Sequence, residues 1–149
     1  MMDHLNNTPQ LDIPSILSHT SIFSGIGFHE LHLLTSKCVL RSYNSEEIVI
    51  EQGEVGDTLY IIIKGRVTVS VNTRSQGMMR VDTLGSGDVF GEIAILRNIP
   101  RTARITTETP CTFLTITAKS FLEMYQYFPP ESRNNIQLIV AKRLALNPS

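Results

Sequence analysis

The chain has 149 residues, 42% hydrophobic and 18% charged. That is the composition of one globular domain able to bury a core without disulfide or metal staples. Thirteen basic against fourteen acidic side chains leave a net charge of -1, which argues against direct nucleic-acid binding, because displacing counterions from phosphates takes a basic face. Cys38 and Cys111 form no CxxC pair, the longest apolar run (Leu59 to Ile63) is too short for a membrane helix, and the polar N-terminus lacks the apolar core of a secretory signal. These features predict a soluble, cytoplasmic protein with reduced thiols and no membrane attachment of its own.

Residues 1–12 are polar, carry Pro9, and read as a flexible tail ahead of one domain over 13–149. A short helix is predicted around Ile13 to Leu17. Ser21 to Gly25 follows as a turn that drops Phe23 into the core. A better helix runs from Phe28 to Lys37, with Phe28, Leu31 and Leu34 at helical spacing. Neither helix is long enough to stand alone, so both must dock on something.

From Cys38 to Thr117 the hydrophobic period becomes two. Ile48 and Ile50 alternate with Val49 and Glu51; Val67, Val69 and Val71 alternate with Thr68, Ser70 and Asn72. Both cysteines fall in these strand patterns, where buried, inert thiols are expected. Glycines punctuate the stretch, and about eight short strands are predicted, at the spacing of a sandwich or barrel. Glu92 to Leu96 interrupts the strands with about one and a half helical turns, and Thr102 to Thr107 resumes as a strand. Beyond Thr117 the chain returns to helix. Phe121, Leu122, Tyr125 and Phe128 form one stripe, Pro129-Pro130 break it, and Pro130 can open a last helix. In that helix Ile136, Ile139, Val140 and Leu144 share a face with Arg143.

Catalytic patterns are few. All four histidines precede the first strand, so the strands lack the ligands a metal cupin needs. His29 and His32 share a helix face without an acidic or cysteine partner nearby in sequence, and read as solvated. No GxSxG or HExxH occurs. The glycine-rich Gly85-Ser86-Gly87-Asp88-Val89-Phe90-Gly91 is neither a Walker A nor a Rossmann fingerprint. It does lead into the helical turn at Gly91-Glu92, whose free N–H groups can hold an anion. Arg101 can return to the same point with a guanidinium suited to two phosphate oxygens, and Glu92 can accept from a sugar hydroxyl. The spacing alone equally allows a glutamate that complements a helix dipole and an arginine in a surface ion pair.

The motifs go further. Phe90-Gly91-Glu92-Ile93-Ala94-Ile95-Leu96, followed by Pro100-Arg101-Thr102-Ala103, resembles the phosphate-binding cassette of the cyclic-nucleotide-binding domain family, which includes catabolite activators and protein kinase A regulatory subunits. The run from Glu51-Gln52-Gly53-Glu54-Val55-Gly56-Asp57 to Lys64-Gly65-Arg66-Val67 resembles the family's glycine-framed strand region. Leu84-Gly85-Ser86-Gly87-Asp88 resembles its approach to the cassette. The likeness extends from about Leu17 to Leu146.

The resemblance implies a mainly β fold: an antiparallel eight-stranded β-roll (a double-stranded β-helix, or jelly roll) with an N-terminal helical bundle and two C-terminal helices. It implies a ligand, cyclic AMP or cyclic GMP, that is held and not turned over, so a regulatory module rather than an enzyme, with no metal or further cofactor. Carried over, Arg101 pairs with the cyclic phosphate, and the N–H groups of Ile93, Ala94 and Ala103 approach its oxygens. Glu92 and the backbone of Gly91 take the ribose hydroxyl. Thr102 contacts phosphate or base, and Val81, Leu84 and Phe90 wall the purine. The last helix is the family's lid, whose base-contacting residue falls at Lys142 or Arg143. The helix face favours Arg143, the alternative being a stem that carries its charge out to solvent.

The chain stops soon after that helix, without a helix-turn-helix, kinase or pore. It is expected to be either a free-standing sensor that passes a helix movement to an unidentified effector, or a piece of a larger protein. A homodimer through the last helix is a further expectation. The alternative function is a degenerate, ligand-independent β-roll that serves only as an interaction domain.

Overall fold

The computed structural model describes residues 12–146; the expected tail at 1–12 lies almost wholly outside them. Helix α1 (Ile13–Ser18) starts at Asp12, whose carboxylate accepts from the Ser15 N–H at 3.2 Å, with Pro14 in its first turn. A 3-10 turn, Ser21–Phe23, does bury Phe23. Helix α2 (Phe28–Thr35) buries Leu31 and Leu34. Phe28, expected on the same stripe, is instead 69% exposed and packs edge-on against His32. It occupies the first turn, ahead of the buried Leu31 and Leu34.

Eight strands follow: β1 (Val39–Tyr43), β2 (Ile48–Ile50), β3 (Thr58–Lys64), β4 (Val67–Thr73), β5 (Gly77–Leu84), β6 (Val89–Phe90), β7 (Arg104–Thr107) and β8 (Cys111–Thr117). They pair antiparallel in two four-stranded sheets, ordered β1-β8-β3-β6 and β2-β7-β4-β5. The alternation read from Val67 to Val71 holds: the valines are buried and the residues between them are not. At β2 a bulge between Ile48 and Ile50 breaks the period, so Ile50 is buried and Ile48 exposed. The strand expected from Thr102 begins at Arg104, and Cys38 precedes β1 rather than lying in a strand. Burial pushes the Cys38 thiol up to about 11, consistent with an inert role.

In the first sheet the central strands β3 and β8 are buried on both faces, whereas the edge strand β1 is largely exposed. In β3, Leu59 and Ile61 turn toward the helices while Tyr60 and Ile62 turn toward the second sheet; in β8, Leu114 and Ile116 oppose Phe113 in the same way. Helix α3 (Glu92–Arg97) interrupts the strands, and α4 (Ala118–Tyr125) and α5 (Pro130–Leu146) close the chain. Phe23, Phe121 and Phe128 meet edge to face, with ring centroids 6.3–6.4 Å apart, and lock α4 to the N-terminal turn. Leu122, read on that stripe, faces outward. Helix α5 starts at Pro130 as expected. Near its start, Ser132 Oγ donates to the Ser24 carbonyl and Asn135 Nδ2 to that of Ser21.

Candidate nucleotide site

Between the sheets and α3 lies a pocket that is mostly apolar with a few polar groups, the make-up of a small-molecule site. Val81, Leu84 and Phe90 line it together with Gly91, Glu92, Ile93 and Ala94 of the cassette turn. Arg101, Thr102 and Ala103 close the opposite side, and Arg143 of α5 reaches in. These eleven sequence-predicted residues meet in one place. Lys142 does not: it is exposed on α5, outside the cavity. Ile50, Val69, Ile105 and Asp82 also line the cavity and were not singled out from the sequence. The three aliphatic residues were findable as inward positions of β2, β4 and β7.

The cassette is held open by one backbone conformation. Gly91, the N-cap of α3, has φ +91, which favours glycine. A β-carbon there would lie 2.8 Å from Arg101 Nη1 and 2.9 Å from the Thr58 carbonyl oxygen. The ring of Phe90, just before it, stacks flat on Tyr60 at a centroid distance of 4.7 Å and meets Phe113 edge-on. That aromatic packing fixes the wall from behind. Burial pushes the Tyr60 phenol up to about 12, so it stays neutral next to the cation.

Arg101 is the centre of the site. Its N–H donates to the Glu54 carbonyl and its carbonyl accepts from the Gly53 N–H, both at 2.8 Å. Its side chain donates from Nη1 to the Gly91 carbonyl at 2.9 Å and from Nη2 to the Thr58 carbonyl at 2.8 Å. The residue is only 7% exposed, yet among the described residues it forms no ion pair. Burial pulls its guanidinium down from the ordinary value, against a weaker upward pull from Tyr60, Asp57, Glu92 and Glu54. A buried cation that meets only neutral carbonyls still lacks a counter-charge.

Glu92 is 1% exposed, and its carboxylate is gripped by Arg143 Nη1, which also donates to the Val89 carbonyl. Arg143 therefore turns inward to the cassette instead of snorkelling out. It ties the far end of α5 to the turn that carries Glu92.

The model of the cyclic nucleotide-binding domain matches residues 40–128. The chain is 34% identical over 100 residues to the cAMP-activated global transcriptional regulator CRP of Pasteurella multocida, covering 66% of this chain and 48% of that protein. It is 32% identical over 91 residues to the cGMP-dependent protein kinase of Plasmodium berghei, covering 61% of this chain and 10% of the kinase. The chain thus spans about a tenth to a half of these relatives. Among solved structures, cAMP-bound PfPKA-R (141–441) superposes with a TM-score of 0.73 at 31% identity, over 91% of this chain and 47% of that one. The regulatory domain of Toxoplasma gondii PKA with cAMP gives a TM-score of 0.79 at 21% identity, over 87% of this chain and 49% of that one, and shares the fold. With a family model spanning most of the β-roll and the same architecture in kinase regulatory subunits, this chain belongs to the cyclic nucleotide-binding domain family.

Proposed function

We propose that the cavity binds a cyclic purine nucleotide, cyclic AMP or cyclic GMP, and that occupancy is passed to an effector through α5. The observation that carries this reading is the buried guanidinium of Arg101 without a carboxylate partner. A phosphodiester oxygen supplies the missing charge, and the guanidinium geometry suits two phosphate oxygens. The N–H groups of Ile93 and Ala94 in the first turn of α3, and that of Ala103 across the cavity, add neutral donors. Glu92 receives the ribose hydroxyl beside the Gly91 backbone, and Thr102 stands where phosphate and base meet. Val81, Leu84 and Phe90 supply the apolar wall for the purine.

Transmission follows from the grip of Arg143 on Glu92. A ribose hydroxyl arriving at Glu92 shares the carboxylate with Arg143 or displaces it. Either outcome changes how α5 is held, and a ligand shifts such an equilibrium only by this differential contact. The near-neutral charge favours a protein effector over nucleic acid for this domain. The reading is binding without turnover. A ligand-independent module would leave the buried Arg101 guanidinium without an anion in contact. Calorimetric titration with cyclic AMP and cyclic GMP tests the proposal: saturable heat from at least one is expected, and none at millimolar ligand overturns it.

A further inference from the structure

One end of the first sheet holds a second pocket. Register sets Thr58 opposite Thr117, Tyr60 opposite Thr115, Thr115 opposite Val39, and Phe113 opposite Arg41. These side chains therefore share the face that looks toward the second sheet. Tyr60 and Phe113 pack into the core between the sheets, whereas Val39 and Arg41 remain exposed. The result is a mainly polar concavity, completed by Lys37, just beyond α2, and by Asp57, just before β3. None of its residues lines the nucleotide cavity. Tyr60 borders the one and Phe90 the other, and their stacked rings form the partition.

The hydroxyls of this pocket differ in what they still have to offer. Thr58 Oγ1 donates to Asp57 Oδ1 at 2.9 Å and Thr115 Oγ1 to the Val39 carbonyl at 3.0 Å, so their protons are spent. Thr117 Oγ1 accepts from the Ser120 N–H at 3.1 Å and keeps its proton for an acceptor. Lys37 and Arg41 bring two cations, and among the described residues neither side chain forms an ion pair or a hydrogen bond. Asp57, the acid of the lining, is engaged by Thr58, and its charge acts on Arg101 beyond the partition. Two cations against one acid leave the lining with a net positive charge.

We propose that this pocket is a second ligand site, which takes a small multivalent oxyanion, a polycarboxylate or a phosphorylated metabolite, on Lys37 and Arg41. A guanidinium meets a carboxylate or phosphate through two parallel N–H donors, and the ammonium adds a compact charge beside it. The Thr117 hydroxyl donates to a further oxygen. A monovalent anion engages only one of the two cations, so the pair favours a guest with more than one charged group. The site stands whether or not the neighbouring cavity takes a nucleotide.

The probes are citrate for the polycarboxylate and pyrophosphate for the phosphate, with acetate as the monovalent control and hexaglutamate as an acidic peptide. All are titrated at one fixed ionic strength, because exposed charges are screened by salt. Calorimetry gives the affinity and amide NMR spectra give the location. Citrate or pyrophosphate is expected to saturate with a Kd of about 1 mM or tighter and to shift the amides of β1 and those around Thr117. In the double variant Lys37→Gln/Arg41→Gln that affinity should fall about tenfold or more. Both replaced side chains are exposed, so the variant should melt as wild type does. The proposal is overturned if neither probe saturates, if the double variant binds as wild type, or if acetate binds as tightly. Shifts confined to residues 91–103 overturn it too, because they place the anion at Arg101. Binding of hexaglutamate without either small anion also overturns it and makes the surface a dock for an acidic protein segment. None of these readouts depends on cyclic nucleotide, so a failure here and a failure of the nucleotide reading are told apart.

Discussion

Gly56 lies directly against the guanidinium of Arg101: a β-carbon added to it would sit 2.4 Å from Nε and 2.5 Å from Cζ. Its backbone is outside the left-handed region, so alanine meets no conformational penalty there, only the collision. Because the obstacle is the end of a flexible side chain, Gly56→Ala is expected to fold and to push Arg101 out of its place. The loss of one charge-assisted contact, about 1.5–3 kcal/mol, corresponds to a roughly tenfold to hundredfold fall in nucleotide affinity. Calorimetry alongside thermal melting separates this from unfolding.

Arg101→Ala removes the counter-charge itself. Truncating one partner of a desolvated charge pair costs roughly 2–5 kcal/mol, or about thirtyfold to several thousandfold in affinity. Cyclic AMP and cyclic GMP should lose equally, since they share the phosphate. The ligand-free variant should still fold but melt below wild type, because the Gly91 and Thr58 carbonyls lose their donors. The readout is the nucleotide-induced rise in melting temperature, present in wild type and absent in the variant.

The Glu92–Arg143 contact predicts a non-additive pair. Arg143→Met strands the buried Glu92 carboxylate and should cost about 1–3 kcal/mol, less than a fully buried pair because 24% of the Arg143 side chain remains in water. Adding Glu92→Gln should recover part of that loss. Thermal unfolding of the two single variants and the double gives the coupling. Arg143→Met should also speed amide exchange in the last turns of α5.

Most of the architecture was legible in the sequence because alternation and glycine spacing are local signals. Eight strands, the short helix at Glu92 and the start of the last helix at Pro130 follow from them. The cassette was legible as a motif, and its residues do meet in one cavity. What stayed hidden depends on pairing. The exposure of Ile48 and the cavity position of Asp82 both arise at bulges, which appear only when two strands are aligned. The contact of Gly56 with Arg101 joins two loops distant in sequence. The exposure of Phe28 is likewise invisible to helical spacing, which puts it on the stripe of the buried Leu31 and Leu34.

Glu108 predicts a dependence on pH. Its carboxylate accepts from Thr68 Oγ1 and Arg66 Nε at 2.6 Å and from Arg80 at 2.8 Å. The Thr68 hydroxyl, followed by Arg66 and Arg80, holds it below the usual glutamate range against the opposing effect of burial. A carboxyl depressed in the folded state stabilises the fold above its unfolded pKa, about 4.3, and that contribution is lost as pH falls through the folded value. Wild type should therefore melt above Glu108→Gln at neutral pH, and the gap should close as the solution is acidified below about pH 4. A gap that persists undiminished well below pH 4 contradicts the assignment.

Strand β3 carries Leu59 and Ile61 on one side and Tyr60 and Ile62 on the other, and both sides are covered. The β-roll cannot therefore be cut out as a smaller soluble unit. Removing the helices would bare Leu59, Ile61, Leu114 and Ile116 as one continuous apolar surface, the kind that drives self-association. Any shortened version used as a sensor or an immobilised probe must keep α1, α2 and α4, which line no part of the cavity, as well as α5, which does.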